Sequence, residues 1–200
     1  MFIYLASKSP RRAELLKQFG IAFKLNLFEP TTEQAEDVDE TPLPNEPAAD
    51  YVCRITRQKA EAGYGRVIQR KLPRAPVLAA DTTIAFKGHI IGKPSDQADA
   101  FNILRQLSGQ THTVLTALCL QDETRQILRL NQSNVQFCTL SDTEIKHYIQ
   151  SGEPMDKAGA YGIQGRAAAF VQSIQGSYTG IMGLPLFELN QILSSYNGPA

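Results

Sequence analysis

The segment Ser7-Lys8-Ser9-Pro10-Arg11-Arg12 combines hydroxyl and guanidinium groups at a point where a strand passes into a helix. Residues 2–6 form a short apolar run, typical of a buried strand, while Ser9 suits the N-cap and Pro10 the first helical turn. The N–H groups and dipole of a helix start attract anions, and paired guanidiniums suit phosphate. A capped helix with solvated arginines is the alternative, and this segment alone favours neither.

A carboxylate and a lysine are the next candidates for chemistry. Asp81 follows the apolar run 76–80, which predicts a buried strand ending at Asp81, and ligands of α/β sheets bind at such ends. Asp81, with Thr82 beside it, can bind Mg²⁺ or orient a water molecule, or Asp81 can simply cap a turn. Lys59 falls in the apolar stripe of a predicted helix over 48–63. It either meets a charge there or extends its stem so that its ammonium group reaches water.

Two later loops carry weaker signals. Lys93 lies in a Gly-Lys-Pro turn, where a solvated lysine is the alternative interpretation. Residues 156–165 are rich in glycine, which lets a backbone approach a flat ligand closely. Gln164 in this loop offers a donor and an acceptor that can match the N3–H and a carbonyl of uracil or thymine. An ordinary glycine-rich surface loop is the alternative.

Composition narrows the class of protein. The chain has 200 residues, with 20 Lys+Arg and 20 Asp+Glu, so its formal net charge is zero. This balance argues against a general nucleic-acid or anionic-membrane surface, but it permits a local basic pocket. The three cysteines and three histidines lack the spacing of a disulfide framework, a zinc site or a catalytic triad. Without an apolar stretch of membrane-spanning length or a signal-peptide pattern, we expect a cytoplasmic protein that binds neither nucleic acid nor membrane.

The order of the predicted elements indicates an α/β fold with a mixed sheet, in a single domain over 1–200. Residues 111–121 and 126–138 alternate apolar and polar, which predicts long antiparallel strands. A capping-box pattern precedes the predicted helix 142–151. Residues 29–47 are acidic and proline-rich, and they predict a long, mobile loop of the functional kind. Further strands are predicted at 21–28 and 169–174, and further helices at 9–19, at 96–107 and from Pro185.

Seven segments of the chain, taken together, resemble the Maf family of nucleotide pyrophosphatases. They are LASKSPRRAELLKQFGI at 5–21, YVCRITRQKA at 51–60, AADTTI at 79–84, IIGKP at 90–94, LRQLSGQTHTVLTAL at 104–118, EPMDKAGAYGIQG at 153–165 and GSYTGIMGLPL at 176–186. They follow the family order over nearly the whole chain, which is far more specific than any single motif.

The resemblance implies a central mixed, twisted sheet flanked by helices, two lobes around an active cleft, and a homodimer. It implies hydrolysis of a nucleoside triphosphate to the monophosphate and pyrophosphate, with Mg²⁺ or Mn²⁺. The AYGIQG sequence resembles the branch of the family that prefers dTTP and UTP. Two other functions stay open: a nucleotide-binding regulator of cell division or septum formation with little turnover, and an enzyme for deaminated purine nucleotides. The retained acidic and basic residues favour the enzyme, and Gln164 argues against deaminated purines.

The resemblance also implies roles for particular residues. Asp81, Lys59 and Lys93 are expected to be catalytic, and Ser7, Ser9, Arg11, Arg12, Thr82 and Gln164 to bind the substrate. The arginine pair, Thr82 and Gln164 match positions linked to base choice. Asp81 is also an expected metal ligand. The family's second acidic residue lies about ten positions after Phe23, which reaches Thr32 and Glu33, so Glu33 is the expected second ligand. Ala79 replaces a usual glycine, which we expect to be tolerated.

Overall fold

The structure, a computed structural model, describes residues 2–25 and 38–197. The strands are β1 (Ile3–Ala6), β2 (Phe23–Lys24), β3 (Val77–Phe86), β4 (His89–Ile91), β5 (Thr111–Gln121), β6 (Gln126–Phe137) and β7 (Val171–Gln175). The helices are α1 (Pro10–Gln18), α2 (Ala48–Gln69), α3 (Gln97–Leu107), α4 (Asp142–Gln150), α5 (Tyr178–Ile181) and α6 (Leu186–Asn197). Short 3₁₀ segments cover Glu153–Asp156, Ala158–Ala160 and Arg166–Phe170.

The strands form one seven-stranded mixed sheet in the order β2-β1-β3-β5-β6-β7, with β4 against β3. β1 runs parallel to β2 and β3, whereas β3, β5, β6 and β7 pair antiparallel in succession. The long hairpin of β5 and β6 agrees with the alternating pattern that predicts it. The expected α/β fold with a mixed sheet flanked by helices is therefore confirmed.

Successive side chains of β3 point to opposite faces of the sheet, as the pleat requires. On the face that we name the α2 face, Val77 and Ala79 pack with Ala60 of α2. On the opposite face, named the α1 face, Leu78 packs with Leu16 of α1 and with α6. Farther along the α1 face, a second core joins the end of β3 with α3 and α4. Two lobes thus share one continuous sheet.

One edge of β3 is open between two partner strands. β1 pairs with β3 only as far as Ala6 opposite Ala79, and β4 begins to pair at Ile91 opposite Ile84. Within the described part of the chain, no strand covers residues 80–83 on this edge, while β5 pairs along the other edge. The segments that follow β1 and β4 meet at this opening, which we name the edge gap.

The edge gap corrects the expected position of Asp81. Asp81 does not end a strand; it lies in the middle of β3, opposite Ala117 of β5. Pairing with the long strand β5 carries β3 onward through the polar residues Thr82 and Thr83. The strand that ends near Asp81 is instead its neighbour β1.

Other boundaries also differ from the sequence expectations. α2 continues past Gly63 to Gln69, because Gly63 lies on its buried side together with Ala60 and Val67. The strand expected at 169–174 begins only at Val171, after a 3₁₀ segment. The short helix α5 is not predicted by the sequence pattern. The capping box before α4 is present, since Ser141 accepts from the Glu144 N–H and Glu144 accepts from Ser141.

Residues 38–47 are more ordered than a mobile loop, because α2 holds them. The Tyr51 hydroxyl donates to the Glu40 carbonyl at 3.0 Å, and Arg54 forms an ion pair with Glu46 at 2.7 Å. The remainder of the expected loop, 29–37, lies outside the described residues, as do residues 26–28 of the expected second strand. Among the described helices, none has the length and apolar character needed to cross a membrane.

Candidate functional site

A cleft of about 810 Å³ opens at the edge gap, between the two lobes. Among the described residues that line it, Lys and Arg outnumber Asp and Glu by six to three, although the whole chain is neutral. The cations are Lys8, Arg11, Arg12, Lys59, Lys93 and Lys157, and the anions are Glu40, Asp81 and Asp156. The expected local basic pocket therefore exists, assembled from residues that are far apart in sequence.

An ion-paired cluster occupies the α2 side of the cleft. The Lys59 ammonium group donates to Asp81 Oδ1 at 2.7 Å and lies 2.6 Å from Glu40 Oε1. Asp81 is only 9% exposed, so this contact compensates a largely buried carboxylate. Burial, followed by the charges of Asp81 and Glu40, raises the pKa of the neighbouring Tyr51 to about 12. Lys59 thus meets charged partners, which decides against the alternative of a lysine that only extends into water.

Arg12 lies on the opposite, α1 side and is held by neutral oxygen atoms. Its Nε donates to the Gly183 carbonyl at 2.8 Å, Nη1 to Ser7 Oγ at 3.0 Å, and Nη2 to Thr82 Oγ1 at 3.2 Å. Burial lowers the pKa of Arg12 from its ordinary value, and the nearby Asp81 carboxylate opposes that shift. Within residues 2–25 and 38–197, three of the five guanidinium N–H donors are engaged, which fixes the plane of the group and leaves two for a ligand.

The start of α1 is arranged for an anion. Ser9 is the N-cap residue, but within the described chain its side chain makes no capping hydrogen bond. Its N–H instead donates to Ser7 Oγ at 3.2 Å. Among the described residues, no capping side chain satisfies the first-turn N–H groups, and such groups can bind an anion. Arg11 borders the cleft at the same helix turn.

The glycine-rich segment 157–165, named the base loop, borders the cleft from the second lobe. The Gly159 N–H donates to the Gly92 carbonyl at 2.9 Å, which joins the base loop to the turn that carries Lys93. Gly159 has a φ of +70°, and a Cβ there would lie 2.2 Å from Ile84 Cδ1, so only glycine fits. The Tyr161 hydroxyl is 2.7 Å from His112 Nε2 in the core. Gln164 borders the cleft with an exposed side chain.

Gly162 leaves room for two cations, one from the base loop itself and one from α1. A Cβ on Gly162 would lie 2.9 Å from Lys157 Cε and 3.2 Å from Arg11 Nη1. Lys157 itself donates to the Glu153 carbonyl and to Asp156 Oδ1, both at 2.6 Å. The loop expected to approach a flat ligand therefore also packs against Arg11, at the start of α1.

Two carboxylates of the cleft could share a divalent cation. Asp81 and Glu40 bring oxygen atoms to the same ammonium group of Lys59, so they already converge on one positive charge. Within residues 2–25 and 38–197, no group of three or more His, Cys, Asp or Glu residues suits a metal ion. Mg²⁺ is commonly held by one or two carboxylates together with substrate phosphates and water, so the pair fits such an ion.

The nine expected site residues within the described chain all border this one cleft. They are Ser7, Ser9, Arg11, Arg12, Lys59, Asp81, Thr82, Lys93 and Gln164. Glu33 lies outside the described residues, so its role as a metal ligand stays a prediction. Sequence reasoning missed Glu40 and Lys157. Counting forward from Phe23 pointed to Glu33 and so passed over Glu40.

A cationic cleft of this size, formed where a mixed sheet loses an edge strand, suits a nucleotide with its phosphate groups. The family model described as Maf-like protein matches residues 2–196. The chain therefore belongs to the Maf family.

Relatives resemble the chain over nearly its full length. A protein of Aromatoleum aromaticum named dTTP/UTP pyrophosphatase is 58% identical over 198 residues, covering 98% of this chain and 96% of the relative. Proteins with the same name from Dechloromonas aromatica and Nitrosomonas europaea are 54% and 55% identical. Each covers 96% of this chain, and the matches span 96% and 92% of those relatives.

Proposed function

We propose that this chain hydrolyses dTTP and UTP to the nucleoside monophosphate and pyrophosphate. The observation that carries the proposal is the Lys59–Asp81 pair, held at 2.7 Å inside a cleft bordered by six cations. A cleft for binding alone would need the cations, but not a buried carboxylate directed into the same space. The names of the relatives support both the reaction and the choice of nucleotide.

The triphosphate lies across the basic part of the cleft in this proposal. The start of α1, with Ser7, Ser9 and Arg11, binds phosphate oxygens through N–H, hydroxyl and guanidinium groups. Lys93 approaches from the turn after β4. A nucleoside triphosphate carries several negative charges, and cations fixed by the fold neutralise them without reorganising during the reaction.

The reaction displaces pyrophosphate from the α-phosphorus. The oxygen of a water molecule forms a bond to the α-phosphorus, the bond to the α–β bridging oxygen breaks, and pyrophosphate leaves with the electron pair. Asp81 orients the water and accepts its proton, while Lys59 holds the Asp81 carboxylate in place through Oδ1. Lys93 stabilises the charge that develops on the leaving group.

Asp81 and Glu40 would hold Mg²⁺ or Mn²⁺, with Glu33 as the alternative second ligand. A bound ion would supply Lewis-acid polarisation of the phosphoryl oxygens and neutralise part of their charge. Residues 38–47 are fastened to α2 through Tyr51 and Arg54, so Glu40 is presented to the cleft by an ordered segment.

Base choice depends on Gln164 in this proposal. Its amide pairs with the N3–H of uracil or thymine and with one neighbouring carbonyl. Cytosine lacks this proton, and a purine would overfill the space next to the base loop. Arg12 and Thr82 border the same side of the cleft and complete the set of residues expected to influence the base.

A panel of nucleotides tests the proposal. Purified protein, free of contaminating pyrophosphatase, is assayed with Mg²⁺ or Mn²⁺ against the canonical triphosphates, ITP and modified pyrimidine triphosphates. We expect dTTP and UTP to have the highest kcat/KM, with one pyrophosphate per monophosphate. Orthophosphate with a nucleoside diphosphate would contradict the reaction, and a preference for ITP would favour the enzyme for deaminated purines. Binding without turnover would favour the regulator of cell division, which the names of the relatives do not.

The resemblance to the family leads us to propose a homodimer as well, which light scattering at several protein concentrations tests. A cytoplasmic location is also part of the proposal and rests on the scattered cysteines of the sequence. A tagged chain followed by fractionation tests it.

A further inference from the structure

A chain of hydrogen bonds runs from Arg12 into the core on the α1 face. Arg12 Nη2 donates to Thr82 Oγ1 at 3.2 Å, Thr82 Oγ1 is 3.0 Å from Thr116 Oγ1, and Thr116 donates to the Gly180 carbonyl at 2.8 Å. Thr116 lies on β5 directly opposite Thr82 and is 0% exposed. It is thus behind the surface of the cleft, one side chain away from a residue that borders it.

The hydrogen-bonding capacity of each partner determines which group donates and which accepts at every step of this series of hydrogen bonds. A carbonyl can only accept, so the single hydroxyl proton of Thr116 is committed to Gly180. Thr116 must therefore accept at its contact with Thr82, and Thr82 must donate its own single proton there. Arg12 can only donate, so Thr82 accepts from it. All three bonds point from the cleft towards Gly180.

The two hydroxyl groups beside Arg12, those of Ser7 and Thr82, therefore differ in what they can offer a substrate: one a donor, the other an acceptor. Thr82 has committed its proton to Thr116, so it can offer a substrate only a lone pair. Ser7 Oγ accepts from Arg12 Nη1 and from the Ser9 N–H, so its two lone pairs are used, and no acceptor among the described residues takes its proton. Ser7 therefore suits a phosphate oxygen, and Thr82 suits an N–H or O–H donor of the nucleoside.

We propose that Thr116 is a positioning residue for nucleotide binding, which acts through Thr82. Thr116 accepts the hydrogen bond that Thr82 donates, so the Thr82 oxygen acts as an acceptor towards the cleft. Its hydrogen bond from Arg12 fixes the plane of the guanidinium group. The inference deepens the proposed function, because it concerns how the same cleft binds its nucleotide. Thr116 itself does not touch the substrate.

Two substitutions separate the hydroxyl from the shape of the side chain. Thr116→Val keeps the β-branched shape and removes the hydroxyl, whereas Thr116→Ser keeps the hydroxyl. We expect Thr116→Val to raise KM for dTTP and UTP about tenfold, the effect of losing one well-placed hydrogen bond, with kcat changed much less. Thr116→Ser should restore KM to within about twofold of the original protein.

A double-mutant cycle tests whether Thr116 acts through Thr82. In a Thr82→Val background, Thr116→Val should have no additional effect on KM, because the chain is already broken at Thr82. Thr56→Val is the matched control, since Thr56 is also 0% exposed and donates to a carbonyl, that of Val52, within α2. It should lower the melting temperature without changing KM. If Thr116→Val does not fold, Thr116→Ala replaces it.

Binding is measured separately with α,β-methylene-UTP, which cannot be cleaved at the α–β position. Its Kd should rise about tenfold in Thr116→Val and stay unchanged in Thr116→Ser and Thr56→Val. An unchanged Kd in Thr116→Val, or additive effects of Thr82→Val and Thr116→Val, would overturn the positioning role. Absence of hydrolysis by the unmodified protein, with these Kd changes present, would overturn only the proposed function.

Discussion

The two faces of the sheet hold their cations in different ways, although adjacent residues of one strand supply the contacts. On the α2 face, Lys59 lies between the carboxylates of Asp81 and Glu40. On the α1 face, the hydrogen-bond partners of Arg12 in the described part of the chain are a carbonyl and two hydroxyl groups. Neutral partners orient a guanidinium without cancelling its charge, whereas two carboxylates largely cancel the charge of an ammonium group.

This difference indicates that the two sides of the cleft have different roles. Lys59 has its charge compensated, so in the proposed reaction its main contribution is to orient the Asp81 carboxylate. In the same proposal, Arg12 retains its charge for the anionic substrate. Damage to the α2 face should therefore affect kcat and the metal requirement, while damage to the α1 face should affect KM and the choice of base.

The largest effect is expected from Asp81→Asn, which removes the charge from the α2 face while preserving its shape. We expect kcat to fall about 10²- to 10⁴-fold, the range for loss of a general base, because an amide cannot accept the proton of water. The Kd of α,β-methylene-dTTP should change little, and the melting temperature should stay close to that of the unmodified protein. Near-normal pyrophosphate release by a folded variant would contradict the role of Asp81 as the general base.

The next effect concerns the second carboxylate. Glu40→Gln should raise the Mg²⁺ or Mn²⁺ concentration needed for half-maximal activity about 10- to 100-fold, because a ligand to the ion is weakened. Glu33→Gln is the matched variant, with the same chemical change in the same acidic segment of the sequence. A shift in Glu33→Gln with none in Glu40→Gln would show that Glu33, and not Glu40, is the ligand.

On the α1 face, His112 provides a test that does not depend on activity. Burial lowers the pKa of His112 from 6.5 to about 4, because the ring is enclosed by Phe137 and Tyr161. Between these two pKa values, His112 is therefore protonated in the unfolded chain and neutral in the folded chain. The stability that His112 contributes is fully present above pH 6.5 and is lost as the pH falls towards 4.

We expect the unmodified protein to lose about 2 kcal/mol of unfolding free energy between pH 7 and pH 5 through His112 alone. His112→Gln should lack this loss, so the two proteins should differ in the slope of stability against pH. Urea unfolding at both pH values measures the difference. Parallel slopes for the two proteins would mean that His112 is protonated in the folded state at pH 5.

The smallest effect is expected from Gln164→Ala, which leaves both charged groups intact. The preference for UTP over CTP, as a ratio of kcat/KM, should fall about tenfold, because one paired contact with the base is lost. Arg12→Ala should instead raise KM for all triphosphates, and it should change the UTP-to-CTP ratio less than Gln164→Ala does. If the UTP-to-CTP ratio is the same in Gln164→Ala, base selection lies elsewhere in the cleft.

Local patterns in the sequence predict much of the fold. The alternation in β5 and β6 and the capping box before α4 depend on neighbours in sequence, so they can be recognised without the rest of the chain. The continuation of β3 through Asp81 and Thr82 depends on pairing with β5, more than 30 residues away. No local pattern reports such pairing.

Prediction of the candidate site from the sequence is limited in the same way. Arg12 and Asp81 stand out by residue type and position, and the family resemblance assembles them into one set. Glu40 and Thr116 do not stand out, because their roles follow from contacts with Lys59 and Thr82 across the fold. A threonine in an apolar strand has the same sequence pattern whether it anchors a cleft residue or only fills the core.

The position of Asp81 and Thr82 on consecutive residues of β3 limits how this cleft can evolve. A strand reverses the direction of its side chains at every residue, so one inserted or deleted residue in 80–83 would move at least one of these two side chains off its present face. Substitutions act on one face at a time and can change nucleotide choice while leaving the Asp81 carboxylate in place. Relatives with new substrates should therefore differ at Thr82 and in the base loop, and should keep the length of β3 unchanged.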